Sequence, residues 1–173
     1  MPEPIALQYG NNFYCSCERF FDASLIGKPV IILSNNDGCA VARSEEAKTL
    51  GINMGAPLPD PQSGERTWRQ GSSSNYSLYG DFQRHLLDCV SQFSPVVEVY
   101  SIDENFIDLS GFGDRYEAIG AEMRATVRQH TGIPTCIGIG PTKTLAKLAN
   151  CTAKKNPIFG GVWVWDDRHK PNF

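Results

Sequence analysis

The stretch VVEVYSIDENFIDL, residues 96–109, decides how the rest of the chain reads. Residues 96–100 and 105–109 are rich in β-branched and aromatic side chains. Only Ser101, Ile102, Asp103 and Glu104 separate them, a spacing that predicts a hairpin. Neighbouring side chains along a strand point to opposite faces, so adjacent carboxylates rarely cooperate. At a turn the backbone reverses, and Asp103 and Glu104 can face one space. Together they can hold Mg²⁺, which takes one or two carboxylates with water and substrate phosphate. A merely solvated acidic turn is the competing account, and the local pattern leaves both open.

Upstream, Asp81 stands as the N-cap of a helix carrying Phe82, Leu86, Val90 and Phe93 on one face and stopped by Pro95. Downstream, Tyr116, Ile119, Met123 and Val127 mark a second amphipathic helix ending at Gly132. Residues 135–140 read as a strand. Pro141 then takes the first position of a last helix with Leu145, Leu148 and Ala149. Near the start, Ile5, Ala6 and Leu7 open a strand that ends near Tyr9 and Gly10. Leaving out residues from about 15 to 79, the order is strand, helix, strand, strand, helix, strand. The expected class is α+β, a ferredoxin-like βαββαβ arrangement carrying an inserted subdomain. Within the insertion, residues 29–33 read as a buried strand, 34–38 as a turn, and 43–50 as a short helix stopped by Gly51. Residues 55–74, with Pro57, Pro59 and Pro61 and no periodicity, read as an exposed or disordered loop.

The chain has 173 residues, 41% hydrophobic and 20% charged, a profile that fits a folded domain. No run approaches the roughly 20 apolar residues that cross a bilayer. The opening MPEP lacks a secretory pattern, so a cytoplasmic chain without a membrane partner is expected. The six cysteines then read as free thiols, and Cys15 and Cys17 lack zinc-site spacing. Sixteen basic against nineteen acidic residues leave a net charge of -3, whereas a self-sufficient nucleic-acid binder shows a basic excess. Any such function must rest on local sites. Lys143, Lys147, Lys154 and Lys155 fall on or just after the last helix, as phosphate ligands or as a solvated face. Phe13 and Tyr14 follow the first strand, where aromatics join the core or present a ring to a base or sugar. His85, His130 and His169 are too scattered for a metal site or a triad.

Eight strings occur in collinear order: NNFY (11–14), SCER (16–19), GKPV (27–30), LSNNDGC (33–39), ARSEEAK (42–48), SSNYSLYGD (73–81), YSIDE (100–104) and TKTLAKLAN (142–150). Together they resemble the Y-family translesion DNA polymerases, most closely the UmuC branch. The resemblance implies a palm from residues 1–14 and 80–173, with a fingers insertion at 15–79 in which 58–71 is aberrant. It implies template-directed nucleotidyl transfer past damaged bases, in DNA repair and the SOS response. The substrates implied are a DNA primer–template and dNTPs, and the cofactor is a two-ion Mg²⁺ site. Asp103 and Glu104 match metal-binding catalytic carboxylates. Tyr14 matches the steric gate against a ribose 2′-hydroxyl, with Phe13 beside it. Lys48 and Lys154 match positions that hold the triphosphate, and Arg43 a helper over the nucleotide. A UmuD-type subunit and the recombinase filament are the implied protein partners.

Three departures shape the expectation. Tyr9 stands where the family's first strand ends in a metal-binding aspartate, and a phenol with a pKa near ~10 is a poor Mg²⁺ ligand. The expected loss in rate is on the order of 10³-fold or more. The chain therefore reads as an impaired polymerase, or as a non-catalytic remnant acting only through polymerase or repair partners. A ferredoxin-like nucleotide cyclase is a further alternative. Second, residues 58–71 replace a fingers helix and strand, and paired frame slips are expected to have produced both this segment and Gln8-Tyr9-Gly10. Third, the chain stops at Phe173, where the family continues into a thumb. A truncated copy with weak, salt-dependent duplex affinity is expected.

Overall fold

The computed structural model describes residues 4–57 and 71–165. In chain order the elements are β1 (Ile5–Gly10), α1 (Phe13–Phe21), β2 (Ile31–Leu33), β3 (Ala40–Arg43), α2 (Glu45–Thr49), β4 (Gly71–Ser73), α3 (Tyr76–Val90), β5 (Val97–Val99), β6 (Glu104–Asp108), α4 (Tyr116–Thr131), β7 (Thr135–Gly140), α5 (Lys143–Lys155) and β8 (Val162–Val164). They fall into two compact units, one of residues 1–11 with 81–173 and one of residues 12–80.

The first unit is built on a five-stranded sheet in the order β5-β6-β1-β7-β8. Its first four strands have the order of a βαββαβ fold, and the hairpin is present as β5 and β6, paired antiparallel. β1 is central and antiparallel to both neighbours, with Tyr9 opposite Glu104 on one side and Cys136 on the other. Gln8, Tyr9 and Gly10 complete β1 in register with these strands. One face of the sheet carries Leu7 and Phe106, packed with Ala146 of α5. The other receives α4, whose Ile119, Met123 and Val127 are buried as their spacing predicts, and whose end is Gly132 in the left-handed region at φ 69°.

α5 lies against β7 because β7 has glycines where side chains would stand. A Cβ at Gly138 would come within 2.0 Å of the Asn150 backbone nitrogen and 2.4 Å of the Ala146 carbonyl oxygen. The helix accordingly buries Ala146, Ala149, Asn150 and Ala153 rather than the expected Leu145 and Leu148, which are only half-buried. Asn150 fastens the contact, its Nδ2 donating to the carbonyls of Leu7 at 3.1 Å and Cys136 at 2.9 Å. The N-cap of α5 is Thr142, whose hydroxyl accepts from the Leu145 amide at 3.2 Å, so Pro141 precedes the cap and is not the first helical residue. α3 likewise begins five residues before the expected N-cap, leaving Asp81 inside the helix. β8 lies parallel to β7 and was not anticipated. It is only three residues long and depends on β7 for its pairing.

The second unit carries a three-stranded sheet in the order β3-β2-β4, with β2 the expected buried strand. Three expectations need correcting here. Arg43 closes β3 instead of opening a helix, and α2 starts at Glu45. Gly71–Ser73 is a strand parallel to β2, not loop. Residues 55–57 are tied down by hydrogen bonds between Gly55, Ala56 and Ala40, with a bridge from Cys39 to Pro57. The sequence GSS carries no strand propensity. It becomes one by lying beside Ile31–Leu33, where a Cβ at Gly71 would meet Leu33 at 2.8 Å. What was expected of residues 58–70 lies outside the described residues.

Ser44 anchors this unit. Fully buried, its Oγ accepts from the Val30 amide at 3.1 Å and caps α2 by accepting from Ala47 at 3.3 Å. A Ser44→Ala variant leaves both amides without that acceptor and is expected to lose about 1–3 kcal/mol, read from the urea midpoint.

All six cysteines are free thiols, as expected. Among the described residues, no helix is long and apolar enough to cross a membrane.

Candidate active site

The hairpin carboxylates are held from three sides. Gly10, the last residue of β1, donates its amide to the Asp103 carbonyl at 2.8 Å. The amides of Tyr100 and Ser101 close on the Glu104 carbonyl at 3.0 and 3.2 Å. Beneath the turn runs a buried amide chain: Gln83 Nε2 donates to Asn105 Oδ1 at 3.0 Å, and Asn105 Nδ2 to Gln8 Oε1 at 2.7 Å. Asp103 precedes β6, while Glu104 is its first residue, on the sheet face of its β1 partner Tyr9.

Two lysines of α5 serve this corner. Lys147 Nζ lies 3.3 Å from Glu104 Oε2 and 4.0 Å from the Tyr100 ring centroid. Lys154 Nζ stands 4.3 Å from the Tyr9 ring centroid. Burial pushes the Asp103 carboxyl above its ordinary value. A hydrogen bond from Ser101 Oγ at 2.8 Å pulls the other way, Glu104 adds to the rise, and Lys154 offsets part of it. The folded state thus favours protonated Asp103. The stability this contributes is present below the ordinary value of 3.8 and lost as pH rises through the raised folded value. An Asp103→Asn variant keeps an acceptor for Ser101 without the buried charge. Its urea midpoint at pH 7 is expected to equal or exceed that of the parent, and a lower midpoint would contradict the assignment.

Two carboxylates are present, one already paired with an ammonium, and at position 9 a phenol carries a lysine over its ring. Among the described residues no group of three or more His, Cys, Asp or Glu side chains is gathered to hold a metal ion. The local chemistry is that of a carboxylate pair balanced by lysines.

The remaining candidates lie in the unit of residues 12–80. Phe13 is buried at the start of α1, and Tyr14 beside it is half-buried. The Tyr14 ring stacks on Tyr79 with centroids 4.2 Å apart and planes at 15°, and meets Tyr76 edge-on at 6.0 Å. Tyr79 is fully buried, and its hydroxyl donates to Glu18 Oε1 at 2.8 Å. Lys48 of α2 is bound by Glu45 Oε1 at 2.7 Å and Asn12 Oδ1 at 2.6 Å. Arg43 Nη1 donates to the Ile52 carbonyl at 2.7 Å. Asp103, Glu104 and Lys154 therefore belong to one unit, and Phe13, Tyr14, Arg43 and Lys48 to the other.

Sequence reading did not find the Tyr79–Glu18 support, the Lys147–Glu104 pair or the amide chain. The available signal was the spacing of Tyr14 and Glu18, four apart on what proves to be a helix. That helix was not recognised, because FYCSCERFF is composed largely of weak helix formers.

The fold and this corner define a ferredoxin-like palm with an inserted fingers subdomain. The chain belongs to the impB/mucB/samB family, whose model matches residues 8–151. Among curated relatives it is similar to protein UmuC of Salmonella typhimurium, 48% identical over 150 residues, covering 84% of this chain and 35% of that protein. It is likewise similar to protein ImpB of Salmonella typhimurium, 46% identical, covering 88% of this chain and 37% of that one. A DNA polymerase IV of Pelotomaculum thermopropionicum is 34% identical, covering 84% of this chain and 38% of that one. The chain thus spans little more than a third of these relatives. Among solved structures, DinB from Sulfolobus solfataricus superposes with a TM-score of 0.80 at 18% identity, covering 96% of this chain and 49% of that one.

Proposed function

We propose that this chain handles the incoming nucleotide of a template-directed DNA polymerase of the error-prone translesion type, in an impaired form. Residues 1–14 and 80–173 serve as palm and 15–79 as fingers. The observation that carries the reading is the hairpin carboxylate pair, Asp103 and Glu104, flanked by lysines of α5, in a chain of the impB/mucB/samB family. Asp103 and Glu104 are the catalytic carboxylates of the ancestral Mg²⁺ site, which lacks a third carboxylate here. Lys154 and Lys48 hold the triphosphate, and Arg43 assists over the nucleotide. Tyr14, with Phe13 beside it, selects deoxyribose by leaving no room for a 2′-hydroxyl. Primer–template DNA and dNTPs are the substrates, and the setting is cytoplasmic DNA repair in the SOS response. A UmuD-type subunit and the recombinase filament are the proposed partners.

Primer extension with Mg²⁺ and dNTPs tests the reading. Slow template-dependent extension, lost in Asp103→Asn, is the expected result. A product formed from a nucleoside triphosphate without template would point to a cyclase-like enzyme and overturn it. Tyr9 specifically favours one second reading, a non-catalytic remnant acting through polymerase or repair partners. No extension at all by a chain that still binds a dNTP would favour that remnant.

A further inference from the structure

We propose that Tyr79 is the positioning residue of the sugar gate. Stacked on Tyr14 and tethered to Glu18, it sets the plane of the ring that a ribose 2′-hydroxyl would strike. The inference rests on the reading of Tyr14 as that gate and adds a residue to which no role has been given.

A gate works by repulsion, and repulsion discriminates only if the ring cannot yield. A half-buried tyrosine near the start of a helix has two rotatable side-chain bonds, and an unsupported ring would swing aside from one extra hydroxyl. Here the swing is blocked. Tyr79 covers one ring face at 4.2 Å, nearly parallel at 15°, and Tyr76 meets the edge at 88°. Tyr79 is itself immobile: it has no exposed surface, and its hydroxyl is bound to a carboxylate at 2.8 Å. That carboxylate belongs to Glu18, one helical turn beyond Tyr14 on the same face of α1. A single buried side chain on α3 therefore grips α1 at two points one turn apart, by its ring at Tyr14 and by its hydroxyl at Glu18. Phenylalanine in its place would keep the first grip and lack the second. Burial pushes the Tyr79 phenol well above its ordinary pKa, which keeps it a donor to Glu18 at every physiological pH.

The test is competition binding to the full chain, with dATP and ATP displacing a fluorescent dATP analogue. The parent is expected to prefer dATP, and Tyr14→Ala to lose that preference. In Tyr79→Leu the dATP/ATP preference is expected to fall about two- to tenfold, the range of a stacked aromatic pair, while dATP affinity itself stays within about twofold. Glu18→Ala removes the tether without touching the core, so the test stands even if Tyr79→Leu does not fold. It is expected to lower the preference about two- to threefold. Unchanged preference in Glu18→Ala and in any folded Tyr79→Leu, with Tyr14→Ala still defective, overturns the role of Tyr79 alone. A parent without preference, or a Tyr14→Ala variant that keeps it, removes the gate reading and this inference together.

Discussion

A Tyr9→Asp variant is expected to extend a primer about 10³-fold faster than the parent chain and to bind Mn²⁺ more tightly than the parent does. Position 9 lies opposite Glu104 in the β1–β6 ladder, so a carboxylate placed there shares a sheet face with Glu104. The substitution also removes the ring on which Lys154 rests, leaving that ammonium for carboxylate or phosphate. A third carboxylate beside two others raises mutual repulsion. Without a divalent ion the variant is therefore expected to melt below the parent, and Mg²⁺ to raise its Tm, because a ligand that binds only the folded state stabilises it. Three measurements check this: Mn²⁺ binding followed by electron paramagnetic resonance, Tm with and without Mg²⁺, and primer extension. Mn²⁺ binding without faster extension would place the dominant defect away from position 9. No Mn²⁺ binding at all would refute this account of the palm corner.

Gly138→Ala is expected to be the most destabilising single substitution in the palm, costing about 4–5 kcal/mol or more. The added methyl would stand 2.0 Å from the Asn150 amide nitrogen and 2.5 Å from its Cα. Those are backbone atoms of a packed helix, so relief requires α5 to move off the sheet. Such a shift would also break the two hydrogen bonds from Asn150 to β1 and β7 and displace Lys147 from Glu104. Stability should therefore collapse together with the carboxylate corner. Urea denaturation followed by tryptophan fluorescence reads the effect, Trp163 and Trp165 lying on and just after β8. A midpoint close to that of the parent would show that β7 and α5 are not in the contact described. The glycines of residues 135–140 are where this helix meets the sheet.

The hairpin was legible because its physics is local. Two β-prone runs joined by four residues have few ways to fold, and the apolar Phe106 and Ile107 are buried on opposite faces of the sheet. α4 was legible for a similar reason, since its stripe of Ile119, Met123 and Val127 and its glycine stop lie within 17 consecutive residues. α1 was not legible. Its buried residues are Phe13, Cys15 and Cys17, an alternating set that looks strand-like until the partners on β2 and β3 are known. β4 had no signal of its own and exists because β2 offers a free edge.

Along the chain, local propensity and spacing determined the βαββαβ order and put Asp103 in a turn with Glu104 beside it, while the family resemblance implied an acid where the phenol of Tyr9 stands. Only the tertiary structure decided the company these side chains keep: Lys147 on Glu104, Lys154 on Tyr9, Tyr79 beneath Tyr14. The physical reason is separation, because Glu104 and Lys147 are 43 residues apart and Tyr79 and Glu18 are 61 apart. No periodicity in the sequence spans such distances, and the partners meet only when sheet register and helix packing bring them together.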